Sequence, residues 1–210
     1  MLNLIISLLI LLFSAPTNAK SFEGSIDFVH ESFYDTIYFT YHIKNDQVRI
    51  DKFDNNHLLV QSLLIHIGHE EIYVLSPSKK LYTKLNIKQK DHQDHENFIV
   101  HKTENHRAVN GIDCYQWRVK NIERNTEIAY WVSQNDFYFF EDLIKLINHT
   151  DRTYDFFEKI PETQGFFPLL AVERTLLRKE KSRIYVANIT KKPISDSMFT
   201  IPADYELINP

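Results

Sequence analysis

The sequence predicts a mainly β protein of the α+β class: an antiparallel meander of about ten strands, interrupted late by a helical insert that covers the inner face of the curved sheet. Three observations predict it. Apolar and polar residues alternate with period two along most of the chain. Short turn signals join the alternating runs. Between about 135 and 160 the apolar spacing changes to three and four residues.

The chain opens MLNLIISLLILLFSAPTNA. Residues 4–13 are apolar except for Ser7, and small residues follow through Thr17-Asn18-Ala19. A short apolar core ahead of small residues is the pattern of a secretory signal peptide. It is too short for a bilayer span, which needs roughly 20 apolar residues. Cleavage after Ala19 is expected, leaving residues 20–210 as a single domain without a transmembrane segment. That mature chain holds one cysteine, Cys114, so no disulfide staples it within the chain. About 190 residues suffice for a core without one. The reading is a periplasmic or secreted protein, monomeric, exported across one membrane.

Strands follow in order. Residues 22–30 alternate, and in Gln47-Val48-Arg49-Ile50-Asp51 the apolar side chains face one way and the charged ones the other. The same pattern recurs at 58–65, 71–75, 81–85, 98–102, 113–120, 126–132, 171–177 and 183–190. Residues 36–44 differ: Ile37, Phe39, Tyr41 and Ile43 share one face and Tyr38 lies on the other, which predicts cover on both sides. Asn45-Asp46, Ser76-Pro77-Ser78-Lys79 and Asn110-Gly111 mark the turns.

The insert begins at a plausible cap, Asn135, and Phe140, Leu143, Ile144 and Ile147 then recur at helical spacing. A second short helix carries Tyr154, Phe157 and Ile160 before Pro161 stops it. Both apolar stripes need a surface, and the sheet's inner face is the one available.

Chemistry-bearing motifs are sparse. Net charge is −4 with both signs interspersed, against the clustered Lys and Arg of a nucleic-acid surface. Residues 88–106, KQKDHQDHENFIVHKTENH, hold His92, His95, His101 and His106. His92 and His95 would share a face only on a helix, and residues 86–97 lack the apolar stripe that would hold one against a core. The segment reads as a solvated connection, with a metal-dependent enzyme using His92 and His95 as the remote alternative. No HExxH or GxSxG occurs. Cys114 sits in a hairpin position that suits a small buried hydrophobe. No catalytic residue, metal or cofactor is expected.

Several ordered motifs carry a resemblance. YHIKNDQVRID, EIYVLSPSKKLYTKL, VNGIDCYQWRV, TEIAYWVSQN and DSMFTIPADYELI together resemble a family of small exported bacterial proteins known only as a domain of unknown function. Ile112 stands where that family more often has Tyr. The family in turn resembles the periplasmic lipoprotein-carrier and lipoprotein-receptor (Lol-type) proteins. The resemblance implies an antiparallel half-barrel whose helix-covered concave face can take up acyl chains. It implies no demonstrated activity, so the fold analogy alone bears on function.

The functional expectation is a non-enzymatic periplasmic carrier or binding protein for an apolar ligand, lipid or lipidated partner. Its lid and concave face would use Phe137, Phe140, Leu143, Ile144, Ile147, Phe156 and Phe157. The alternative is a structural or interaction module whose cavity its own helices fill.

Overall fold

A computed structural model describes residues 21–86, 97–147 and 152–208. The expected signal segment, His92 and His95 lie outside the described residues. Eleven strands carry the sheet proper: β1 (Gly24–Ser32), β2 (Thr36–Lys44), β3 (Gln47–Phe53), β4 (Leu59–His66), β5 (Glu71–Ser76), β6 (Leu81–Leu85), β7 (Phe98–Val109), β8 (Ile112–Asn121), β9 (Thr126–Gln134), β10 (Phe166–Arg174) and β11 (Glu180–Lys191). A two-residue strand, β12 (Glu206–Leu207), completes twelve, against the expected ten or so. Helices α1 (Phe139–Ile147) and α2 (Arg152–Glu158) lie between β9 and β10, inside the span the helical spacing marks.

The strands form an open sheet in the order β12-β6-β5-β4-β3-β2-β1-β11-β10-β9-β8-β7. Two meanders therefore meet where β1 pairs with β11. Gly24 makes that seam possible: a Cβ there would meet the Thr190 carbonyl oxygen at 2.1 Å. The β7–β8 turn places Asn110 and Gly111 both at positive φ, 51° and 77°, as a tight hairpin of matching twist requires.

Curvature follows from what the insert touches. Helix α1 contacts the short helical turn Ile67–His69 that joins β4 to β5, while Phe156 of α2 packs edge-on against Phe98 of β7 at 5.1 Å. In a flat sheet β4 and β7 would be about 38 Å apart at normal strand spacing. The helices are only about 13 and 10 Å long at 1.5 Å per residue. They span those strands because the sheet wraps round them as a half-barrel.

One apolar cluster fills the concave side, drawing on Ile26 and Phe28 of β1, Tyr41 and Ile43 of β2, Val48 and Ile50 of β3, and Ile128, Tyr130 and Val132 of β9. Alternation puts the partners of these residues on the convex side. There the chain after β11 crosses back as a strap: Lys44 Nζ donates to the Ile194 carbonyl at 3.0 Å, and Arg49 donates to the Met198 carbonyl at 3.3 Å. The strap ends as β12, which pairs parallel to β6 and forms that edge of the sheet.

Candidate functional site

Helix α1 is amphipathic by sequence. Phe139, Phe140, Leu143, Ile144 and Ile147 face inward and are buried. Glu141 and Asp142 in the first turn face out, where the helix dipole favours them, and both accept from Lys145 Nζ at 3.2 Å. Helix α2 buries Phe156 and Phe157, and Ile160 follows in the next turn. All seven residues expected at the lid, Phe137, Phe140, Leu143, Ile144, Ile147, Phe156 and Phe157, are at most 3% exposed and belong to the one apolar cluster.

Ring packing sets the insert's pose. Phe137, ahead of α1, stacks on Phe167 of β10 at 4.6 Å. Phe140 meets Phe167 at 4.7 Å and Phe157 at 5.4 Å, both edge-to-face. Such pairs contribute about 0.5–1.5 kcal/mol each beyond the area they bury.

Beneath the helices lies a small cavity lined by Phe28, Tyr130, Phe140, Thr153, Tyr154, Phe157, Pro168, Ala171 and Ile184. Its free volume is about 20 Å³, room for roughly one water. Of the seven expected residues, Phe140 and Phe157 line it, and the other five belong to the same apolar cluster without lining it. Polar anchors fasten the lid at three points. Tyr41 Oη pairs with Tyr154 Oη, Tyr130 Oη donates to the Thr153 carbonyl at 2.7 Å, and Arg124 of the β8–β9 turn pairs with Asp155 of α2. The sequence places Tyr41 on one apolar face of 36–44 and Tyr154 on the second helix without joining them. Their pairing depends on topology, and a Tyr on the apolar stripe of each element was the available signal.

The other chemical candidates find no constellation. Cys114 is fully buried, and burial pushes its thiol up to about 11, so it stays protonated and unreactive at neutral pH. His101 and His106 lie exposed on edge strand β7. His66 and His69, at the β4–β5 turn, have ring centroids 6.4 Å apart. Among the described residues no three His, Cys, Asp or Glu side chains converge on a common point.

The convex face holds a denser polar cluster. Ser62 Oγ and Arg49 Nε donate to Asp51 Oδ1 at 2.5 and 2.8 Å, and His42 Nε2 lies 3.5 Å from Oδ2. Burial pushes the Asp51 carboxyl up, but the hydrogen bonds from His42, Ser62 and Arg49 outweigh it and hold the group below the usual carboxylate range.

Comparison with known families decides the affiliation. The family model described as Domain of unknown function (DUF4412) matches residues 22–205. The chain belongs to the DUF4412 family. Among curated protein sequences none matches this DUF4412 member. Its fold recurs in an uncharacterized conserved protein from Thermus thermophilus, with a TM-score of 0.54 at 6% identity over 89% of this chain and 90% of that one. It recurs in the Pseudomonas aeruginosa MucA/MucB complex, with a TM-score of 0.51 at 9% identity over 91% of this chain and 60% of that one. A putative outer membrane lipoprotein-sorting protein domain from Vibrio parahaemolyticus also aligns, at a TM-score of 0.32 and 6% identity over 84% of this chain and 87% of that one. At 6% and 9% identity, the likeness of this DUF4412 chain to the first two is one of fold.

Proposed function

We propose that this DUF4412 protein is a non-enzymatic carrier or binding protein of the bacterial cell envelope, most simply periplasmic. It would hold an apolar ligand, a lipid or the acyl group of a lipidated partner between the helical insert and the sheet. The observation that carries the reading is the make-up of the lid contact: Phe, Leu and Ile side chains packed on a concave apolar face, with polar anchors at its margin. Apolar contacts are non-directional, so an acyl chain can replace them at roughly 25 cal/mol per Å² of apolar surface covered. The directional anchors, Tyr41–Tyr154, Tyr130–Thr153 and Arg124–Asp155, fix where the lid returns.

Ligand pockets are usually about 300–1,000 Å³. A cavity of about 20 Å³ is the closed state of such a site, and loading requires the insert to move outward. The same small volume favours a second reading, an interaction module whose own helices permanently fill the half-barrel.

Native mass spectrometry of protein purified from an exporting host separates the two. A bound mass in the lipid range, released on denaturation, supports the carrier. A bare polypeptide that takes up no fatty acid or phospholipid when these are added removes it in favour of the filled module. A stoichiometric mass of the size of zinc would instead direct attention to His92 and His95.

A further inference from the structure

The two ends of the half-barrel differ in what their turns display. At one end lie the β1–β2, β3–β4, β8–β9 and β10–β11 hairpin tips, and each carries a large apolar side chain in water. Phe33 is 81%, Tyr34 93%, Leu177 90%, Leu58 63% and Ile122 62% exposed. The tight turns at the other end, Asn45-Asp46, Gly68-His69-Glu70 and Asn110-Gly111, carry none and are exposed and polar.

The exposure is built in by the turns. Ser32 Oγ accepts from the Asp35 backbone N–H at 3.0 Å, beneath Phe33 and Tyr34. Asp54 Oδ1 accepts from the Leu58 backbone N–H at 2.9 Å. The Leu176 N–H donates to Asn125 Oδ1 at 3.2 Å, tying the β10–β11 tip to the β8–β9 tip. Local hydrogen bonds thus hold the backbone of each tip in place while its apolar side chain stays in solvent.

In the sheet order these four tips lie two strands apart from one another. At normal strand spacing that sets them about 10 Å apart in a row about 30 Å long. A protein hot spot is a contiguous, closely packed patch, whereas this is a row of separate projections. Cations flank them. Lys79, Arg178 and Lys179 stand on this rim, the β5–β6 turn included, beside Asp35, Asp54 and Glu123, while Arg124 and Lys80 there are paired with Asp155 and Asp204. Separate apolar wedges set among Lys and Arg match the boundary between acyl chains and anionic headgroups.

We propose that this rim is a membrane-docking edge, with Phe33, Tyr34, Leu58, Ile122 and Leu177 entering the interface of an anionic bilayer. The proposal stands apart from the ligand reading, because none of these side chains lines the cavity.

The test is vesicle co-sedimentation of protein from an exporting host, its N-terminus read by intact mass. The vesicles are phosphatidylethanolamine with phosphatidylglycerol, or phosphatidylcholine alone. The protein is expected to bind the anionic vesicles, more weakly as salt rises. The pair Phe33→Ser with Leu177→Ser should lower partitioning about tenfold or more, since both lost side chains are large apolar ones. The polar-rim change His69→Ser should leave it unaltered. Absence of binding by the unchanged protein, or equal binding by the paired variant, overturns the proposal. So does self-association without vesicle binding that the same pair abolishes, which would assign the rim to a protein interface.

Discussion

Strands β2 to β5 are covered on both faces, and the two covers work by different physics. On the concave side Tyr41, Ile43, Val48, Ile50, Ile65 and Ile72 meet the helical insert's cluster through apolar and ring contacts. On the convex side Arg49, Asp51 and Ser62 form a hydrogen-bonded knot under the C-terminal strap, beside the buried Leu64 and Leu75. Arg49 reaches the strap at the Met198 carbonyl, and Lys44 pairs with Asp196 at 2.5 Å. Shape-tolerant contacts can be exchanged for another apolar partner. Charge-assisted hydrogen bonds cannot be replaced that way without stranding a buried charge. On the carrier reading proposed above, the insert is the cover that an apolar ligand would displace, once its marginal polar anchors open, and the strap is the one that stays.

The largest expected effect lies on the concave side. Phe140→Ala should cost about 3–5 kcal/mol in urea or thermal unfolding, because Phe140 touches Phe157 and Phe167 and leaves a void beside an existing cavity. If a lipid fills that void, adding fatty acid should recover part of the loss, as it would not in a permanently filled module. On the convex side Asp51→Ala should cost about 3 kcal/mol, since it strands Arg49 and Ser62.

The same carboxylate gives the convex face an acid signature. Its folded pKa is depressed, so its contribution is complete above the unfolded value near 4 and is lost as pH falls through the folded value. Unfolding free energy measured across that acid range should fall less steeply in Asp51→Asn than in the unchanged protein.

Smaller effects sharpen the contrast. Tyr154→Phe should cost about 1 kcal/mol, and amide exchange in α2 should quicken while that in β3 and β4 stays slow. Phe33→Ser should change stability by less than about 0.5 kcal/mol, as it touches neither cover.

Where period-two spacing and turn residues are clear, the sequence carried the fold openly: 36–44, 81–85 and the Asn110-Gly111 turn all stand where strand spacing and turn chemistry predict them. It was quiet where other forces set the boundary. Strand β10 starts at Phe166 instead of near Ala171, because the run Phe166-Phe167-Pro168-Leu169-Leu170 is apolar throughout and a register shift between Pro168 and Leu170 breaks the period. Strand β7 continues to Val109, beyond the predicted 102, since an exposed edge strand has no apolar face to read. The two-residue β12 is placed by backbone hydrogen bonds, such as Glu206 N–H to the Lys80 carbonyl at 2.9 Å, to which side-chain pattern is blind. At the site, the apolar stripe of α1 was legible in Phe140, Leu143, Ile144 and Ile147, whereas Tyr130 and Thr153 became neighbours only through the order of strands.

The seam between β1 and β11 has a consequence for the order of events in time. Each meander can form from neighbouring hairpins, but Gly24 finds Lys191 only after nearly the whole polypeptide has emerged. Closing so long a loop is an entropic cost that local contacts cannot offset in advance, and non-local pairing of this kind slows folding. The central pair of the sheet thus stays unmade until the far end of the chain is available to the near end.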